Sequence, residues 1–339
     1  MKALPWHREA LARLLADRAR LPHALLVHGP AGIGKVEFAR ALAAGILCES
    51  PRDGLACGAC PACHWYSQGN HPDYREIVPE AAQEDEEGEA PEAEGKAEKA
   101  KSLVIKIDQI RAVADFVALT THRAGYRVLL VHPAEALNPG AANSLLKTLE
   151  EPPPGTVIVM VSDRPARLLA TLRSRCRQLA LPPPPHPQAL AWLREQGVAE
   201  PQVALASAGG APLAALDLAR PEEAELRKRL LDQLARPAGA DALGFGATVD
   251  RATLERFIHW MQTWVHDVVR VRLAGEPRHH PDYVQPLQAR ARAADVEALF
   301  ALDRELADAR ALATHPLNPR LLAEHLLMSY NRATSGARA

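Results

Sequence analysis

Four cysteines offer the first chemistry in this chain: Cys48, Cys57, Cys60 and Cys63, spaced C-x8-C-x2-C-x2-C. Close pairs let thiolates converge on one ion, and four thiolates close a tetrahedral shell, so the pattern points to structural rather than catalytic zinc. Unligated thiols and an iron–sulfur cluster are the competing readings, because ferredoxin-like runs also use C-x2-C-x2-C. The fourth cysteine lies upstream and apart, which suits zinc better. His64 and His71 stand near the cluster in sequence and read as bystanders. The second candidate is Gly29-Pro30-Ala31-Gly32-Ile33-Gly34-Lys35. Gly29, Gly32 and Gly34 would let backbone N–H groups cradle phosphates, and Lys35 would meet the terminal ones.

Two positions argue that this nucleotide loop is degenerate. A working loop places Ser or Thr after the lysine to ligate magnesium, and here stands Val36. The next core strand, Arg127 to Val131, is to end in acids that hold the metal and polarise water, but His132-Pro133 follows it. Glu135 comes past the proline and is poorly placed to substitute. An inherited turn with at most weak nucleotide binding through Lys35 is therefore favoured over an active ATPase.

These groups need elements to hold them. Glu9 to Ala19 carries Leu11, Leu14 and Leu15 at helical spacing. Ala24 to His28 is a short apolar strand, and a helix follows the glycine loop from Val36 to about Leu47; strand, loop and helix are the context a P-loop requires. Order resumes at Val104 after Glu80–Lys101, an acidic, low-complexity run that buries too little to offset its ordering entropy and is expected to be a disordered loop. Asp108 is expected to cap the next helix. Asn138-Pro139 starts another, since Asn caps and Pro fits the first turn, and Pro152-Pro153-Pro154 stops it after Glu150. Thr156 to Val161 reads as a buried parallel strand. Pro165 opens a helix over Ala166 to Leu172, followed by Ser174-Arg175-Cys176 and the short run Gln178 to Leu181. Read alone, Arg175 is a surface arginine near the negative end of a helix dipole.

The 339 residues suffice for two or three domains. No apolar run reaches eighteen residues and no signal peptide pattern opens the chain, so no membrane partner and a cytoplasmic location are expected. A net charge of −1 excludes a globally basic nucleic-acid binder, and 4% aromatic residues argue against a base-stacking platform. Five cysteines in such a chain point to metal or free thiols, not disulfides. Leu181 to Pro187 is a stiff linker. A small helical region follows to about Arg220, and from Pro221 the pattern is helical throughout, with Leu254, Phe257, Ile258, Met261, Val265 and Val268 in one stripe and Trp260 and Trp264 beside it.

Leu145-Leu146-Lys147-Thr148-Leu149-Glu150-Glu151-Pro152, Ser174-Arg175-Cys176, the glycine loop, the four-cysteine group and His71-Pro72-Asp73-Tyr74 together resemble the AAA+ subunits of the bacterial replicative clamp loader. The resemblance covers nearly the whole chain. It implies an α/β AAA+ P-loop core with an inserted four-cysteine zinc module, followed by a helical lid and an all-α collar. The corresponding boundaries are 1–182 for the core, with the module at 48–66 and the acidic loop at 80–101, 183–220 for the lid and 221–339 for an oligomerisation collar. It implies that Arg175 is an arginine finger acting in trans on ATP held by a neighbour. In ATPase members a lid helix supplies an arginine to nucleotide, and Leu213 stands at about that position. A damaged nucleotide site beside an intact Ser-Arg-Cys implies a non-hydrolysing stator of the DNA polymerase III clamp loader. Its partners would be gamma/tau and delta subunits and, through them, the sliding clamp and primed DNA. An ATP-hydrolysing gamma/tau-like subunit and a zinc-dependent DNA-binding module are the alternatives.

Overall fold

The computed structural model describes residues 3–82, 102–118, 121–122, 125–236, 239–312 and 317–335. It divides into two compact units, Met1–Pro185 and His186–Ala339.

The first unit is a five-stranded, all-parallel sheet: β1 Ala24–His28, β2 Tyr74–Ile77, β3 Arg127–Val131, β4 Thr156–Ser162 and β5 Arg177–Ala180, in the order β2-β3-β4-β1-β5. The aliphatic runs of β3 and β4 are buried at every position, as expected of strands covered on both faces. The helices of this unit include α1 Arg8–Leu15, α2 Lys35–Leu47, α3 Pro61–Ser67, α4 Ile107–Ala118, α5 Pro139–Glu150 and α6 Ala170–Ser174. Gly155 opens β4 at φ 75°, and a Cβ there would stand 2.2 Å from the Gly125 carbonyl oxygen, so only glycine fits the turn.

Several local expectations hold and several shift. The Asn138 side chain accepts from Ala141 N at 2.7 Å and caps α5, which runs to Glu150. Replacing Asn138 with alanine is expected to lower stability by about 1 kcal/mol, read as a lower urea midpoint with unchanged slope. Asp108 does not cap α4: the helix starts at Ile107, Gln109 Oε1 accepts from Lys106 N at 2.9 Å, and Asp108 sits in the first turn. α1 stops at Leu15 rather than Ala19, because the chain must become extended before Pro22 and a 3-10 turn, Arg18–Arg20, makes the change. The helix expected over Ala166 to Leu172 is split. Pro165–Arg167 forms a 3-10 turn, Leu168 is extended and buried at 7% exposure, and α6 covers only Ala170–Ser174. Of the acidic run expected to be disordered, 80–82 form a 3-10 turn with Glu80 paired to Lys106 at 2.8 Å, and 83–101 lie outside the described residues.

The second unit is all helical: α7 His186–Glu195, α8 Pro201–Ser207, α9 Pro212–Leu218, α10 Pro221–Ala235, α11 Ala242–Gly246, α12 Leu254–Ala274, α13 Val284–Ala293, α14 Val296–Leu312 and α15 Pro319–Thr334. α7 to α9 close on a small core of Ala189, Leu193, Leu205 and Ala215. α10 to α15 share a larger one around α12, in which the stripe and the two tryptophans beside it, Trp260 and Trp264, are fully enclosed. Trp264 Nε1 donates to Tyr330 Oη at 2.9 Å, and that hydroxyl donates to Leu234 O. Burial, reinforced by the nearby Arg227 charge, holds the His280 ring neutral; its Nδ1 faces Arg227 Nη2 at 3.0 Å and its Nε2 faces Thr263 Oγ1.

Candidate functional site

The cysteine module hangs from the end of α2. Cys48 follows the last turn, and Cys60 caps α3, its sulfur accepting from Cys63 N. The four Sγ atoms lie within 4.8 Å of one another, with Cys48 to Cys60 at 3.9 Å and Cys57 to Cys63 at 4.0 Å. Zinc–sulfur bonds of about 2.3 Å demand tetrahedral edges of about 3.8 Å, so the donor set fits one four-coordinate ion. A [4Fe–4S] cluster, which gives each thiolate its own iron, would hold the sulfurs farther apart. Backbone N–H groups of Cys57, Ala59, Cys60 and Cys63 point at the sulfurs at 3.3–3.5 Å and favour the thiolate form a metal needs. His64 and His71 stay outside the cluster. His71 is instead buried, with its Nδ1 accepting from Asp73 N at 3.1 Å where the chain enters β2.

The glycine loop joins β1 to α2 as expected. Gly29 lies where a Cβ would strike Leu181 O at 2.3 Å, and Gly34 caps α2 at φ 89° against the Leu4 side chain. Lys35 is 4% exposed and turned inward: its ammonium contacts Pro30 O and pairs with Asp163, just past β4, at 2.5 Å. Val36 puts no hydroxyl beside it. His132, after β3, is bound by Nε2 to Glu76 at 2.6 Å. Burial pushes the Glu76 carboxyl up, but hydrogen bonds from His132, Arg40 and Tyr74 outweigh this and hold it at about 2. Glu135 is spent elsewhere, accepting from the N–H groups of Asp163 and Arg164 at 3.0 and 3.2 Å. The N-terminal segment lies over the loop: Trp6 Nε1 donates to Ile33 O at 3.0 Å, and His7 packs edge-on against Phe38. Burial first, and the Lys35 charge second, lower the His7 pKa to about 4, so it stays neutral at physiological pH.

Arg175 follows α6 on a rigid base. Leu172 is 0% and Cys176 8% exposed, both in the core that also holds Leu145 and Leu149 of α5, while Arg175 between them faces outward. Burial pushes the Cys176 thiol up to about 11, so it acts as a small apolar anchor. Arg175 Nη1 donates to Thr171 O at 3.0 Å, and Nη2 meets Glu150 Oε1 at 2.5 Å.

A family model described as DNA polymerase III, delta subunit, matches residues 8–185, and one described as the C-terminal part of that subunit matches 221–332. The chain is 37% identical over 277 residues to the DNA polymerase III subunit delta' of Pseudomonas aeruginosa, covering 79% of this chain and 78% of that one. It is 31% identical over 349 residues to subunit delta' of Yersinia pestis, covering 99% and 97%. This chain belongs to the DNA polymerase III delta' family. Its parallel sheet, P-loop and helical C-terminal unit are the AAA+ architecture expected of a clamp-loader subunit. Among solved structures, a gamma subunit-related protein of Thermotoga maritima aligns over 96% of this chain and 99% of its own, at 17% identity and TM-score 0.43; so loose a likeness adds nothing to the assignment.

Within this delta' framework the four cysteines converge as their spacing predicts, Lys35 and Val36 follow the glycine loop at the start of α2, and His132 follows β3, bonded to Glu76. Trp6, His7 and Glu150 are among the residues that escaped the sequence reading. Trp6 and His7 precede the first helix, where only a cluster of bulky residues hinted at a role. Glu150 sits inside the quoted Leu-Glu-Glu-Pro run, and only folding brings it to Arg175.

Proposed function

We propose that this chain is the non-hydrolysing stator of a DNA polymerase III clamp loader, assembling with gamma/tau-type and delta-type subunits in the cytoplasm to load the sliding clamp onto primed DNA. Arg175 is its finger, reaching a neighbour's ATP. Cys48, Cys57, Cys60 and Cys63 hold a structural zinc. The core, lid and collar divide at 182/183 and 220/221.

One contrast carries the reading: the groups that would serve nucleotide are internally committed, while Arg175 faces outward on a fixed base. Lys35 is turned to Pro30 and Asp163, His132 to Glu76, and Glu135 to backbone. Val36 and Leu213 supply no ligand at all.

The test is direct. The isolated chain is expected to hydrolyse no ATP above background, whereas adding it to gamma- and delta-type partners should raise their DNA-stimulated hydrolysis and clamp loading. Lys35→Ala should leave loading by the full complex nearly unchanged. It should lower the denaturation midpoint of the chain, because a buried charged hydrogen-bonding group is lost, at a cost of about 1–3 kcal/mol. Asp163 is half-exposed and rehydrates, which keeps the cost at the low end. Loss of loading by a folded Lys35→Ala complex would overturn the inert-loop reading.

A further inference from the structure

We propose that Glu150 is a positioning residue for Arg175, holding the guanidinium in one place at the end of α6 before a neighbour's phosphate arrives; this rests on the finger reading above. Glu150 ends α5 and Arg175 follows α6, twenty-five positions later in sequence, and the two side chains meet at 2.5 Å. Thr171 O takes the other edge of the guanidinium at 3.0 Å. Both backbones are pinned in one buried cluster through Leu145, Leu149, Leu172 and Cys176, so the two charges are fixed relative to each other.

Stability gives little reason for a carboxylate here. An acid at a helix C-terminus opposes the dipole, and Glu151 beside it adds to the mismatch. The pair is exposed, with 36% of the Arg175 and 48% of the Glu150 side chain open to solvent, and pairs of this kind contribute little to folding. Its effect falls on the arginine. A long side chain with several rotamers is narrowed to one direction, so less freedom is lost when it meets an anion. The grip uses one carboxylate oxygen and one carbonyl, and a guanidinium carries five N–H donors. Three donors are thus left over for phosphate oxygens.

The experiment uses the reconstituted clamp-loader complex carrying Glu150→Ala, Glu150→Gln, Arg175→Ala and the double variant Glu150→Ala/Arg175→Ala. Glu150→Ala is expected to lower hydrolysis at saturating ATP by about 10-fold at the site this chain completes, a misplacement effect smaller than loss of the finger. KM for ATP and assembly should stay constant. Glu150→Gln keeps an acceptor oxygen and should recover most of the rate. In the Arg175→Ala background, Glu150→Ala should cost nothing further. A rate unchanged by Glu150→Ala while Arg175→Ala lowers it overturns the positioning role alone. An increased rate would show a competitor for the guanidinium, and an equal loss in both backgrounds would show an independent structural effect; either overturns the proposal. If Arg175→Ala itself changes nothing in an intact complex, the finger reading fails first.

Discussion

Arg175→Ala is expected to leave folding, metal content and assembly intact while ATP hydrolysis and clamp loading by the complex fall steeply. The structural cost is small because the side chain is exposed, its pair with Glu150 is half-solvated, and the backbone beneath it is held by Leu172 and Cys176 rather than by the guanidinium. The functional cost is large because a finger acts only as charge develops on the transferring phosphoryl group. Arginine fingers are worth about 10³–10⁵ in rate, which corresponds to about 4–7 kcal/mol at the transition state. A ring with several ATP sites, only one of which this chain completes, would show a smaller loss overall. Arg175→Lys should rescue little: lysine offers one compact charge, whereas the planar fork meets two phosphate oxygens at once. The measurement is steady-state hydrolysis and clamp loading by a complex checked for stoichiometry by gel filtration. A variant complex that assembles normally and loads clamps at the full rate would reduce Arg175 to a helix-end arginine bonded to the Thr171 carbonyl.

Parts of this site were legible because their physics is local. Asn138-Pro139 reads as a helix start whatever surrounds it, and the short aliphatic runs of β3 and β4 can satisfy themselves only inside a sheet. Cysteine spacing carries its own geometry, so the cluster needed no tertiary knowledge. What stayed hidden depends on partners far apart in the chain. Lys35 looks like a phosphate ligand until Asp163, 128 positions on, is seen to neutralise it. His132 looks like a simple loss of an acid until Glu76, on the neighbouring strand, proves to supply one and to be consumed by His132, Arg40 and Tyr74. The split near Pro165 was missed because proline marks a helical start but does not say whether the turn continues. Leu168 is drawn into the core in an extended conformation, and that tertiary demand ends the turn.

Removing the metal from the cysteine module is expected to unfold that module and little else. The reason lies in what the module has besides its ligands. Of its residues, α3 buries only Ala62, Cys63 and Tyr66, and a seven-residue helix is not stable on its own. Two hydrogen bonds tie its ends to the core: Arg18 Nη1 to Cys48 O at 2.9 Å, and Tyr66 Oη to Arg40 O at 2.9 Å. Between them, none of residues 49–60 belongs to the buried apolar clusters of the described residues. Structural zinc contributes about 10–16 kcal/mol of binding free energy in small modules, far more than those contacts can replace. The sheet and its helices, by contrast, keep a separate core built on Leu26, Leu129, Ile158 and Leu172. Cys63→Ser, or prolonged chelation, should therefore release one zinc per chain and open residues 49–60 to protease, while the denaturation of the remaining unit changes little. Metal analysis with limited proteolysis reads both outcomes. Iron and sulfide in the purified protein, or a protease-resistant module after complete metal removal, would show that these four sulfurs do not depend on a zinc ion to stay together.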